Sequence, residues 1–261
     1  MVRRRSILVA VGASASTGVG VVSGRGGRPS SAREAGVTEA VADHLAAGEI
    51  DAATELLEDH RIAHAVGGGP TGHGPGAPSE GPSIESRYSE SESSVYCTLF
   101  HLEDDRWLAS GVVSLSDRRY RLRDAAMVPD ACGIAYDPAE WTSPDPTAGN
   151  VFLSSDDHDI AYESYAPLYG PAATVELGFN EYPDTAIGLQ TELIRRGSHP
   201  DVPVTFAYEH TYALLNDYLE LVSVSVGATG LSVSLPTGAS RAWIHEATAS
   251  PGPGDGAAGG Q

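Results

Sequence analysis

The sequence predicts a mainly β protein: an antiparallel β-sandwich preceded by a short αα-hairpin and a disordered linker. Two periodicities and one composition shift carry that expectation. From Ser94 onward, apolar residues recur with a period of two in short runs separated by turn residues. Between residues 36 and 66 they recur at helical spacing around a single glycine. The stretch 67–93, dominated by Gly, Pro, Ser and Glu, separates the two patterns and lacks the apolar surface to offset its chain entropy.

Taken in order, residues 1–35 read as a leader followed by a polar, Gly-rich flexible segment. In the helical hairpin, Thr38 is placed to cap a first helix carrying Val41 and Leu45. Gly48 should end that helix, and Asp51 could cap a second one carrying Ala52, Leu56 and Leu57. The sandwich spans 94–248. Val95, Cys97 and Leu99 share one face, and Trp107, Ala109, Gly111, Val113 and Leu115 share another. Further strands are expected from the alternation of Val175, Leu177, Phe179 and of Val204, Phe206, Tyr208, His210, Tyr212. Val222, Val224 and Val226 answer Leu231, Val233 and Leu235 across the turn 227–230, with serines opposite: a hairpin with one buried and one wet face. Residues 249–261 are a low-complexity tail.

Composition bounds the setting. The 261 residues carry 35 carboxylates against 16 cations, a net charge of -19, and every cation is arginine. Self-repulsion of that size favours expansion in dilute buffer. At molar salt the Debye length falls to about 3 Å and the repulsion is screened. The acid excess with no lysine therefore resembles proteins of extreme halophiles. The same charge argues against nucleic-acid binding, which needs a cationic surface. Beyond the N-terminal arginines, Arg118, Arg119, Arg121 and Arg123 form a basic run, expected at a strand edge or hairpin end.

At the N-terminus, Arg4-Arg5 precedes Ser6, Ile7 and Leu8, and the first acid in the chain is Glu34. Cations, a mildly apolar run and small residues follow in the order of an export signal. The paired arginines resemble the leader of the twin-arginine route, with Ile7 where Phe is common and Val9 where Lys is common. That resemblance implies a twin-arginine translocase as partner and export of an already folded chain. The apolar run contains four glycines, so no stable membrane span is expected in the mature chain. The expected location is extracellular or associated with the cell envelope. The block 173–212, ending in "VTFAYEHTY", and the segment "GIAYDPAEW" at 133–141 resemble exported proteins of unknown function from halophilic archaea with a C-terminal β-domain. That resemblance implies export and a β-domain, and no activity.

Candidate chemistry is sparse. Cys97 and Cys132 are the only cysteines. In an exported chain they could be bridged, closing a loop of about 36 residues for roughly 4 kcal/mol in the chain-entropy model. They could equally be two buried thiols acting as small hydrophobes. Asp156, Asp157, His158, Asp159 and Glu163 are the densest run of metal-ligand types and would suit Ca²⁺ or Mg²⁺. Their spacing matches no metal loop, and in so acidic a chain a solvated turn is the ordinary outcome. Otherwise no cofactor is expected. His210 and Glu209 fall on opposite faces of one strand, so His210 is expected half-buried and bonded within the sheet. "HEATA" at 245–249 lacks the second histidine of a zinc-protease helix. "GDGAAG" at 254–259 fits a dinucleotide-binding pattern by letters alone, with no helix after it. No G-x-S-x-G elbow occurs. Trp141, Tyr162, Tyr165, Tyr169 and Tyr182 could line a binding surface or plug the core.

With no catalytic residue singled out, the expected function is non-enzymatic binding of a protein or carbohydrate partner outside the cell. The alternative is a secreted hydrolase or metal-dependent enzyme built on the Asp156–Glu163 segment.

Overall fold

A computed structural model describes residues 31–71, 90–116, 129–144, 151–155, 159–166, 169–176, 184–197, 199, 201–213, 223–227, 230–234 and 239–251. The leader with Arg4 and Arg5, the basic run at 118–123 and the tail from 252 lie outside these residues.

The described chain is mainly β, in antiparallel sheets. Its strands are β1 (His64–Pro70), β2 (Ser94–Glu103), β3 (Arg106–Ser116), β4 (Asp130–Tyr136), β5 (Trp141–Thr142), β6 (Val151–Ser155), β7 (Asp159–Ala166), β8 (Gly170–Glu176), β9 (Asp184–Arg195), β10 (Val204–Ala213), β11 (Ser223–Gly227), β12 (Gly230–Ser234) and β13 (Ala239–Ala249). One sheet runs β1-β2-β3-β9-β5, with β6 also pairing β9; the other runs β13-β10-β4-β8-β7.

The two sheets face each other because the long strands β2, β3, β4 and β10 offer apolar residues at alternate positions. Val95, Cys97 and Leu99 of β2 and Trp107, Ala109 and Val113 of β3 meet Cys132 and Ile134 of β4 and Val204, Phe206 and Tyr208 of β10. Gly111 has a specific part here: a Cβ at that position would overlap the ring of Phe206. The missing side chain is what lets the ring occupy the inter-sheet space.

The outer faces are also covered. The helices α1 (Ala32–Ala35), α2 (Thr38–Ala46) and α3 (Ile50–Asp59) lie on the six-stranded sheet. Val41, Leu45, Ile50, Ala53 and Leu57 pack there against Phe100, Leu102, Leu108 and Val112. On the opposite sheet the β11–β12 hairpin, a separate two-stranded sheet, sets Val226, Leu231 and Val233 over Ala131, Ala135 and Ala172. Its register, Val224↔Val233 and Val226↔Leu231, is the pairing read from the sequence.

Several local expectations are corrected. Residues 31–35 are ordered rather than flexible: Ser31 and Glu34 form a capping box around α1, and Ala32 is fully buried. Thr38 is not a cap. It is the first residue of α2, and Val37 occupies the cap position without a side-chain bond. Glu49, not Asp51, precedes α3. Gly48 does end the first long helix, at a left-handed φ of 74°.

The boundary drawn at 66–67 falls inside β1, which pairs with β2 from His64↔Phe100 to Pro70↔Ser94. The three glycines that suggested a linker are strand residues at a close crossing. A Cβ at Gly67 would overlap the carbonyl of Thr248 in β13. Residues 72–89 lie outside the described chain, but Thr71 N–H donates to Ser93 O at 3.0 Å across that segment. At the other end, β13 runs through Ala249, and Pro251 is buried.

Candidate functional site

Among the described residues, a deeply buried carboxylate–imidazole pair lies at the start of β4. Asp130 is fully buried, and His210 Nδ1 lies 2.7 Å from its Oδ2. Period two explains the meeting. Asp130 shares the inner face of β4 with Cys132 and Ile134, and His210 shares that of β10 with Phe206 and Tyr208. The β10–β4 ladder ends at Glu209↔Ala131, which leaves His210 beside Asp130.

A buried carboxylate needs donors to replace water, and four converge here. The Tyr208 hydroxyl donates to Oδ2, as does the His210 ring. Thr211 N–H donates to Oδ1 at 2.9 Å. The Thr211 hydroxyl lies 3.3 Å from Oδ1 and 3.0 Å from Pro129 O, so its single proton serves one at a time. The pairing of β10 with β13 shifts by one residue between His210 and Thr211. Such a bulge re-aims the backbone locally, and here it accompanies an N–H directed at a side chain instead of a ladder carbonyl.

Rings close the rest of the cluster. Trp243 on β13 lies 5.2 Å from His210, 5.5 Å from Tyr208 and 5.4 Å from His245, all as tilted pairs. His245 Nε2 in turn lies 2.9 Å from Glu90 Oε1, at the 3-10 turn Glu90–Glu92. Asp130 also acts on its neighbour on β4: burial first, and then this negative charge, push the Cys132 thiol up to about 12.

Other histidine–carboxylate pairs lie nearer the surface. His44 meets Glu49 at 2.7 Å and His199 meets Glu140 at 2.5 Å. The His199 ring is 79% exposed and its carboxylate 13%. Gly197 packs so closely on that carboxylate that a Cβ would overlap Glu140 Oε2. What sets Asp130–His210 apart is enclosure, with side-chain exposures of 0% and 5%.

An Asp oxygen on His Nδ1 is the arrangement that holds an imidazole as a general base. Such a base must also reach the proton it removes. The His210 ring is buried against Trp243 and bonded to Asp130, so the pair ties β10 to β4 through its side chains.

Of the residues singled out from the sequence, the two cysteines are not brought together. Cys97 and Cys132 are free, buried thiols, which corrects the bridge. The Cys97 thiol lies 3.5 Å from Val204 O, whereas Cys132 pairs with Tyr208, four residues along the same strand. At about 3.3 Å per residue that separates them by roughly 13 Å along β10, beyond disulfide reach. Asp156, Asp157 and His158 lie outside the described residues. Asp159 and Glu163 fall on β7, with side chains outside the description. Among the described residues, no group of three or more His, Cys, Asp or Glu is placed to hold a metal ion. Trp141 is a core residue, edge-on to Trp107 at 6.2 Å, rather than part of an aromatic surface. His210 is buried rather than half-buried.

Asp130 was not singled out in "PDACGIAY", although stepping back two residues from Cys132 puts it on the buried face. The bonding of His210 within the sheet was legible, because alternation separates it from Glu209. Its partner was not, because the pair is 80 residues apart.

No protein-family model matches the chain, and no curated protein matches it in sequence. Among the described residues, no helix is long and apolar enough to cross a membrane.

Proposed function

We propose that this is an exported, salt-adapted β-sandwich protein that binds a protein or carbohydrate partner at the cell surface or in the medium, and is not an enzyme. The observation that supports the non-catalytic half is the enclosure of the Asp130–His210 pair, with side-chain exposures of 0% and 5%. The leader around Arg4-Arg5 and the net charge of -19 support export into brine. With layers packed on both outer faces of the sandwich, a partner would engage the rims and connecting segments, where binding residues concentrate on rigid scaffolds.

The test is the intact mass of the protein recovered from the medium and from the cells of a high-salt expression host. A shortened species in the medium supports export by the leader. A full-length species confined to the cells overturns it. On the same material, turnover of a chromogenic ester or glycoside that is abolished in a folded His210→Gln variant would overturn the non-catalytic assignment.

A further inference from the structure

Two hydroxyls between the helical layer and the six-stranded sheet have no protein hydrogen-bond partner. They are Thr98 Oγ1 on β2 and Ser110 Oγ on β3. Both residues are 1% exposed. They are directly opposed in the register, and Ser110 is opposed on its other side by Gln190 of β9. Thr98, Ser110 and Gln190 thus form one cross-strand row on the outer face of the sheet.

The neighbouring rows are Phe100–Leu108 on one side and Tyr96–Val112 on the other, which join the apolar packing under α2 and α3. The polar row is therefore a stripe inside an otherwise apolar interface. Helix α2 reaches it, because Gln190 Nε2 donates to Ala42 O at 3.0 Å. That bond orients the amide at one end of the row and ties the stripe to the helix.

Burying a hydroxyl without a partner is costly, and natural folds satisfy such groups with protein or with ordered water. A buried water needs two to four polar partners in a polar setting. Opposed residues on neighbouring strands lie about 5 Å apart, so one water between the two oxygens can bond both. We propose that Thr98 and Ser110 bind an internal water molecule beneath the helical layer, and that the layer docks onto the sheet through this wet stripe.

The water assignment makes each hydroxyl stabilising and the two interdependent, whereas replacing a merely unsatisfied hydroxyl by an apolar group would leave stability unchanged or raise it. The experiment is a double-mutant cycle of Thr98→Val and Ser110→Ala in the full chain, read by chemical unfolding in molar salt. If a water bridges them, each single change lowers the folding equilibrium constant by about tenfold, and the double change costs clearly less than the product. Single variants that are neutral or more stable, or effects that simply multiply, overturn the proposal. A high-resolution crystal structure grown in potassium chloride provides the second readout. Density for one oxygen within hydrogen-bond distance of both hydroxyls is expected. A dry gap, or a peak scattering more strongly than oxygen, overturns it.

Discussion

At the residue scale, Asp130 carries the most consequence per atom. Replacing it by alanine removes one carboxylate and leaves the Tyr208 hydroxyl, the His210 ring and Thr211 N–H without the acceptor they share. Breaking a buried charged network typically costs about 3–5 kcal/mol. Asp130→Ala is therefore expected to lose at least about 3 kcal/mol in chemical unfolding, with Asp130→Asn losing less because an amide oxygen still accepts. The cysteines make the second residue-scale prediction. Burial pushes both thiols up to about 12 from an ordinary 9.0. Between those values the unfolded chain releases its thiol protons while the folded chain keeps them. Stability contributed by the neutral thiols is thus fully present below pH 9 and is lost as pH rises toward 12. The slope is about 1.4 kcal/mol per pH unit for each thiol. The Cys97→Ala/Cys132→Ala variant should show a correspondingly flatter decline when unfolding is followed from pH 8 to 11. In the native protein, neither thiol should react with a thiol reagent at pH 8 on the timescale on which the unfolded chain does.

At the element scale, the positions without side chains show how closely the layers meet. Gly111 gives its space to Phe206, and Gly67 gives its space to the Thr248 carbonyl where β1 crosses β13. Neither neighbour is the end of a long flexible chain, so neither yields cheaply. Gly111→Ala is expected to destabilise by about 1–3 kcal/mol, the range for overpacking a close-packed core. A serine-to-alanine change at exposed Ser232, on the same class of strand, should be nearly silent by the same melting measurement. The glycine run at 67–69 also shows why composition misled at this point. Gly-rich sequence signals chain freedom when nothing touches it, and signals close backbone approach when a strand crosses over it. Only the position of β13 distinguishes the two.

At the scale of the whole molecule, the helical layer and the sandwich share one continuous structure. A chain beginning at Ser94 would lose β1 and all three helices. It would uncover Phe100, Leu102, Leu108 and Val112, each at most 4% exposed in the full chain. Such a fragment is expected to aggregate or to bind a hydrophobic dye strongly, whereas a chain beginning at Ser31 should unfold as the full chain does. A soluble, cooperatively unfolding fragment from Ser94 would show instead that the helices are an appended module.

Features that depend on local periodicity are legible in the amino-acid order alone. Alternating Val and Ser specify the β11–β12 pairing, the run Val95, Cys97, Leu99 specifies which face of β2 turns inward, and Gly48 marks the end of α2. These features are repeated within a few residues, so side-chain alternation and one backbone angle suffice to state them. Tertiary structure decided everything that requires two distant segments to share a space. It placed His210 on Asp130, held Cys97 and Cys132 apart along β10, set the helices on one sheet and the hairpin on the other, and made strand residues of the three glycines at 67–69. Each depends on segments brought together only by folding, and the identity of a residue does not state which distant backbone will lie against it.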